Sequence, residues 1–232
     1  MLRQHAREGK VVLGVNHAMT DFATGRKKDL DLVVARPAGH VPDDAPTFKD
    51  LAARYGVILT DIEQGVLEAL PELRVAGVGA VLIALEAKAC MTAHVKALPR
   101  LYDELNSSHL CVHGASKSAL AIGYVQVNSS STFASSVRNN FPLSERPLQV
   151  TRHNQPHDTE RVIRKISEIP RRSASSEVGF DGVGITVIDF PNDGGDVTIV
   201  DKAPAPAPGD SFHYGSMIVR MANEYDTTFQ GI

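Results

Sequence analysis

Two short segments constrain this chain more than any others: Lys28-Asp29-Leu30-Asp31-Leu32-Val33-Val34 and Val81-Leu82-Ile83-Ala84-Leu85-Glu86-Ala87-Lys88-Ala89. Both are apolar runs of strand length that carry charge inside them. Side chains alternate faces along a strand with a period of two. Glu86 and Lys88 are therefore expected on one side of their strand, and Asp29 and Asp31 on one side of theirs. Burying a charge in a sheet is unfavourable unless it is paired or bound to a metal. Two carboxylates and a lysine converging across neighbouring strands define a hard-cation site with an ammonium beside it. Metal-assisted hydrolysis of a phosphodiester requires that arrangement. On this reading Glu86 and Lys88 enter a polar cleft, whereas Ile83, Leu85 and Ala87 point towards a packed core.

The order of elements around these segments follows from periodicity and punctuation. Residues 1–8 read as a short helix, Val11 to Val15 as a strand, and Gly25-Arg26-Lys27-Lys28 as a turn into the strand Asp29–Ala35. Proline and glycine make a loop of residues 37–46. A helical insertion, 37–75 overall, follows. In it Thr47/Asp50 and Thr60/Glu63 have the spacing of capping boxes, and Ile62, Val66, Leu67 and Leu70 recur at helical intervals. Next come the Glu86 strand, a helix within Ala93–Asn106 and a strand at Ala119–Val127. Without the insertion the order is αβββαβ.

Asp31, a long gap and then Glu86-Ala87-Lys88 together resemble the D…(D/E)xK signature of the PD-(D/E)XK nuclease superfamily, which includes many restriction endonucleases. The αβββαβ order is similar to that superfamily's common core, and the resemblance covers roughly the first half of the chain. The proline that precedes the motif's Asp is absent here. The resemblance implies a Mg²⁺-dependent deoxyribonuclease, Mn²⁺ substituting, with Asp31, Glu86 and Lys88 as catalytic residues. Asp31, Glu86 and the Ala87 carbonyl would hold the metal. Lys88 would orient the attacking water and offset charge developing on the phosphate. DNA is the implied partner, and a homodimer is expected because symmetric cleavage of a duplex needs two sites. Lys28, His94, Lys96, Arg100, Arg161, Arg164 and Lys165 are the candidate nucleic-acid contacts. Asp29 is a supporting candidate, and Glu8 and Asp21 are candidates for an additional upstream acid.

The second half is less patterned. Residues 128–157 are polar and lack sustained periodicity, and a stretch of that length inside a domain is usually functional or mobile. Thr159–Arg172 reads as an amphipathic helix with Val162, Ile166 and Ile169 on one stripe. Strands at Gly182–Phe190 and Val197–Val200, an alanine–proline connector at 203–208 and a helix from Tyr214 to Tyr225 complete the chain. The expected fold is α/β: a mixed central sheet flanked by helices, a restriction endonuclease-like αβββαβ core, a helical insertion and a C-terminal α/β extension. The expected organisation is one domain over residues 1–232, with the core at about 1–127 and the extension at about 128–232.

Composition sets the remaining bounds. A hydrophobic fraction of 43% and a charged fraction of 22% over 232 residues are ordinary for a globular chain with a sizeable core. A net charge of −3 argues against nonspecific coating of nucleic acid but allows a local basic cleft. No run has the length of a transmembrane helix and the N-terminus lacks a signal-peptide core, so no membrane partner and a cytoplasmic location are expected. Cys90 and Cys111 are expected as reduced, buried thiols. His17, His113 and His153 lack partners at zinc-ligand spacing, and Gly77-Val78-Gly79 lacks the context of a dinucleotide site. Two other readings stand beside the nuclease. One is a catalytically silent DNA-binding or scaffold protein of the same fold. The other is an unrelated cytosolic α/β protein in which the Glu-x-Lys tripeptide is accidental.

Overall fold

A computed structural model describes residues 1–142 and 144–232. The chain runs α1 (Leu2–Arg7), β1 (Val12–Thr20), β2 (Lys27–Pro37), α2 (Phe48–Arg54), α3 (Asp61–Glu68), β3 (Val78–Cys90) and α4 (His94–Ala115). It continues through β4 (Leu120–Asn128), β5 (Thr132–Phe133), β6 (Thr151–Arg152), α5 (His157–Ser167), β7 (Gly182–Asp189), β8 (Thr198–Val200) and α6 (Tyr214–Thr228). Six strands form one mixed sheet in the order β1-β2-β3-β4-β7-β8, flanked by helices. The strands β1 to β3 are a meander with antiparallel pairs, and β7 pairs with β8 antiparallel. The α/β class and the helix-flanked mixed sheet match the expectation from sequence.

Backbone contacts divide the chain into two interleaved units. One comprises Met1–Glu86, Leu110–Ile122 and Arg220–Ile232, the other Ala87–His109 and Gly123–Val219. The first unit has a core of Leu13, Val34, Leu82, Leu120, Tyr225 and Phe229, among others. The chain ends are tied into it: the Met1 amino group lies 3.1 Å from Asp226, and His5 Nδ1 shares a 2.9 Å hydrogen bond with the Tyr225 hydroxyl. Burial pushes the Tyr225 phenol up to about 12 and the His5 imidazole below its ordinary value. In the second unit Val162, Ile166 and Ile169 are buried, the stripe expected of α5. Gly184 lets β7 and the first turn of α6 approach closely, since a Cβ there would sit 2.7 Å from the Met217 methyl.

Both capping boxes form. Thr47 and Thr60 accept from the N–H groups of Asp50 and Glu63, whose carboxylates accept from the Thr backbone N–H groups in return. Helix α4 runs beyond the expected limit of Asn106 to Ala115, burying Leu101, Leu105 and Val112 at helical spacing. No helix among the described residues is long and apolar enough to cross a membrane.

The phase of β3 is the main correction to the reading of the fold. Leu82, Ala84 and Glu86 are the buried side of this strand, while Ile83, Leu85 and Ala87 are only half-buried. The period of two was read correctly, but the charged residue does not mark an open cleft. It shares the packed side because a basic residue of β2 meets it.

Candidate active site

Strands β2 and β3 bring the candidate residues to the middle of the sheet. Their ladder pairs Val33 with Ala84 and Leu32 with Leu85, so Asp31 and Glu86 are each the next residue beyond the last of these pairs. Along β2 burial does not alternate strictly, and the register shifts against β3 fall at Val34/Ala35 and Ala35/Pro37. Leu30 and Val33, three residues apart, are both buried, whereas Asp31 and Leu32 between them are half-buried. The neighbouring strand is irregular at the same level. Val15 pairs with Leu32 and His17 with Leu30, and Asn16 between them has a left-handed φ of 48°. Asn tolerates this conformation better than branched residues do. Irregularities of this kind re-aim side chains and are over-represented next to functional sites.

The Lys28 ammonium lies 3.3 Å from Glu86 Oε1. The Glu86 side chain is 1% exposed and that of Lys28 is 19% exposed. Asp31 is half-buried and Asp29 is exposed, in agreement with the deeper placement expected for Asp31. Lys28 is thus drawn inward to a carboxylate, whereas Lys27 beside it is exposed. The two upstream acids are engaged elsewhere. The Asp21 carboxylate accepts from the Ala23 N–H and the Thr24 hydroxyl, and these bonds, that of Thr24 foremost, hold its pKa down. Glu8 is 2.9 Å from Lys10.

In the second unit Lys88 Nζ lies 3.9 Å from Glu104 Oε2 on α4, and the other oxygen of Glu104 accepts from Arg100 Nε at 2.5 Å. Sequence reasoning missed Glu104. Glu104 lies inside the helix expected within Ala93–Asn106, and Leu101, Leu105 and Val112 carry the helical spacing on through Ser107 and Ser108. The hydroxyls of those serines donate to the Glu104 carbonyl instead of breaking the helix.

His94 is not a DNA contact. It follows Ala93, whose φ is 52°, and turns inward to 2% exposure, its Nε2 bonding the Asn128 carbonyl at 2.7 Å. Burial, aided by His153 at 4.7 Å between ring centres, pushes its pKa below the ordinary value, against the opposing effect of the Asn128 hydrogen bond. His153 bonds the Ser130 carbonyl and the Thr92 hydroxyl. Among the other basic candidates, Lys96, Arg161 and Arg164 are exposed, and Arg100 is exposed beside Glu104. Lys165 contacts Glu168 at 2.6 Å and lies over the Tyr102 ring. Cys90 and Cys111 are buried thiols without a disulfide, and burial pushes Cys90 up to about 11.

Among the described residues no group of three or more His, Cys, Asp or Glu side chains is gathered as a metal cage. Two carboxylates, Asp31 and Glu86, are still a sufficient protein contribution for Mg²⁺, which keeps several waters and takes one or two carboxylates. The donor set is all oxygen, which suits a hard cation and not zinc or copper. Comparison of the chain with protein-family models, with curated proteins and with solved structures returns no match.

Proposed function

We propose that the protein is a Mg²⁺-dependent deoxyribonuclease with a restriction endonuclease-like core, acting on duplex DNA as a homodimer. The observation that carries this reading is Glu86: a carboxylate buried in the middle of a sheet, beside Asp31, in an α1-β1-β2-β3-α4-β4 order interrupted only by α2 and α3. A carboxylate buried in a sheet beside an ammonium adds little to stability by itself, which leaves room for a chemical role.

In the proposed mechanism Asp31 and Glu86 would hold the metal, and the Ala87 carbonyl would add a ligand. The metal, when bound, polarises the phosphate and makes water a better nucleophile. Lys88 positions the attacking water and offsets charge on the phosphate oxygens, a contribution realised chiefly in the transition state. Arg161, Arg164 and Lys96, all exposed, would contact the DNA backbone.

A second reading, a silent DNA-binding protein of the same fold, draws on the Lys28–Glu86 contact, which already neutralises the carboxylate. One assay separates the two. Supercoiled and linear DNA are incubated with the protein in Mg²⁺, Mn²⁺, Ca²⁺ or EDTA. Cleavage in Mg²⁺ or Mn²⁺ is expected, with binding but little turnover in Ca²⁺. Glu86→Gln and Lys88→Ala should each reduce cleavage at least about 100-fold, the scale for groups that stabilise a transition state electrostatically. Full activity in EDTA, or parental activity in Glu86→Gln, rules the nuclease out; metal-indifferent DNA binding without cleavage selects the silent protein.

A further inference from the structure

Lys28 is a basic residue at the start of β2, flanked by Arg26 and Lys27, which are both exposed. Only Lys28 of the three is drawn in, to 3.3 Å from a carboxylate that is itself 1% exposed. We propose that Lys28 is a built-in stand-in for the metal: it neutralises Glu86 while the site is metal-free, and it is displaced when a divalent cation binds. The inference rests on the metal-dependent reading above and adds to it a residue that the Asp31/Glu86/Lys88 motif does not contain.

The physical argument has three steps. A carboxylate out of contact with water strongly disfavours ionisation unless a cation lies close. Lys28 supplies that cation from within the same unit, with no need for an ion from solution. A metal on Glu86 would then sit about 2 Å from its oxygen. An ammonium 3.3 Å from the same oxygen would be within a few ångströms of that metal, and two like charges at that separation repel strongly. One cation must therefore leave. Lysine is suited to leaving: its charge is a compact head on a flexible stem, and at 19% exposure Lys28 keeps a route to solvent that Glu86 lacks. Once displaced, the ammonium is available to a phosphate oxygen of the substrate, so Lys28 acts as a positioning residue that changes partner on loading.

Competition for one carboxylate has a signature that a plain structural ion pair lacks. The full-length protein is titrated with Mn²⁺ by calorimetry in the absence of DNA, as wild type, Lys28→Met, Lys28→Gln and Glu86→Gln. Thermal melts of each follow, in EDTA and in Mn²⁺. Removing the competitor should tighten Mn²⁺ binding at least about tenfold in Lys28→Met, because linkage gives the metal back what displacement of the ammonium had taken. The same variant should melt lower than wild type in EDTA and regain most of the loss in Mn²⁺. Lys28→Gln, which keeps a hydrogen-bond donor beside Glu86, serves if the methionine variant does not fold, and should also bind Mn²⁺ more tightly than wild type. Equal or weaker Mn²⁺ binding by the Lys28 variants, with binding lost in Glu86→Gln, overturns the stand-in role and leaves the metal site in place. Absence of Mn²⁺ binding in wild type and both Lys28 variants overturns the inference together with the metal-dependent reading.

Discussion

Glu86 and Asn128 are both polar, both buried in strands of the central sheet, and satisfied in opposite ways. Glu86 carries a charge and is met by the charge of Lys28, on the flexible end of a long side chain. Asn128 is neutral, 0% exposed and held by backbone groups. Its amide nitrogen donates to the carbonyls of Met91 (3.0 Å) and Phe190 (2.8 Å), and its side-chain oxygen accepts from the N–H groups of Ser130 and Phe190 (both 3.0 Å). Every hydrogen-bonding position of that amide is used, and none of its partners can move without moving the main chain. A fully satisfied neutral network rigidifies a fold, whereas a buried charge with a mobile partner adds little net stability and leaves room for exchange. The contrast assigns Asn128 to architecture and leaves Glu86 open to the chemistry of the proposed function.

The sharpest way to break the comparison is to remove each group in a size-conserving way. Asn128→Leu should destabilise the protein by about 3–5 kcal/mol, because it strands buried donors and acceptors of Ser130, Phe190 and Met91 at about 1–3 kcal/mol each with partial relaxation. Urea unfolding gives the value, and a loss below about 1 kcal/mol would remove the architectural role. The paired replacement Lys28→Met/Glu86→Leu should behave differently. Exchanging a buried ion pair for apolar residues of similar volume is often neutral or stabilising by about 1–4 kcal/mol, since two desolvation penalties disappear together. The double variant is therefore expected to fold, to melt at or above the wild-type temperature in EDTA, and to cleave no DNA. If it unfolds as Asn128→Leu does, Glu86 belongs with the architecture after all.

The same contrast explains what could be read from the sequence. The helix-flanked mixed sheet, both capping boxes and the apolar stripe of α5 follow from local rules: alternation, spacing and side-chain return to the first helical turn. Asp31 was distinguished from Asp29 by the apolar residues after it, and it is the less exposed of the two. What was not legible depended on contacts between segments far apart in the chain. The inward turn of Lys28 needs the carboxylate of Glu86, on another strand. The burial of His94 needs the carbonyl of a residue 34 positions later. The role of Asn128 needs Phe190, 62 positions away. From the sequence Asn128 opens a polar stretch that looks unstructured; in the fold it closes β4 and anchors that stretch. Polarity in the sequence could not tell the neutral, backbone-held Asn128 from the charged Glu86.

The smallest effect expected is a tilt in stability with pH, and it tests the neutral character of the Asn128 region. His94 donates through Nε2 to the Asn128 carbonyl, faces the His153 ring and has Asp158 nearby. Burial is the foremost cause holding its pKa below the ordinary 6.5, and neighbouring His153 acts in the same direction. The folded protein therefore binds this proton less readily than the unfolded chain does. Between the two pKa values the unfolded state carries more protons, so stability rises with pH there. The contribution is complete above the unfolded value and is lost as pH falls from about 6.5 towards the lower folded value. Thermal melts between about pH 5 and 8 should show the melting temperature falling on the acid side. His94→Gln, which keeps a donor for Asn128 but cannot take a proton, should lower the plateau slightly and flatten the acid limb. Some slope will remain in that variant, because burial lowers the pKa of His5 beside Tyr225 in the same direction. A further His5→Gln change should remove most of what is left. An acid limb unchanged by His94→Gln would mean that the imidazole takes up its proton without leaving the Asn128 carbonyl. The region around Asn128 would then tolerate charge, and its difference from Glu86 would be one of partners alone.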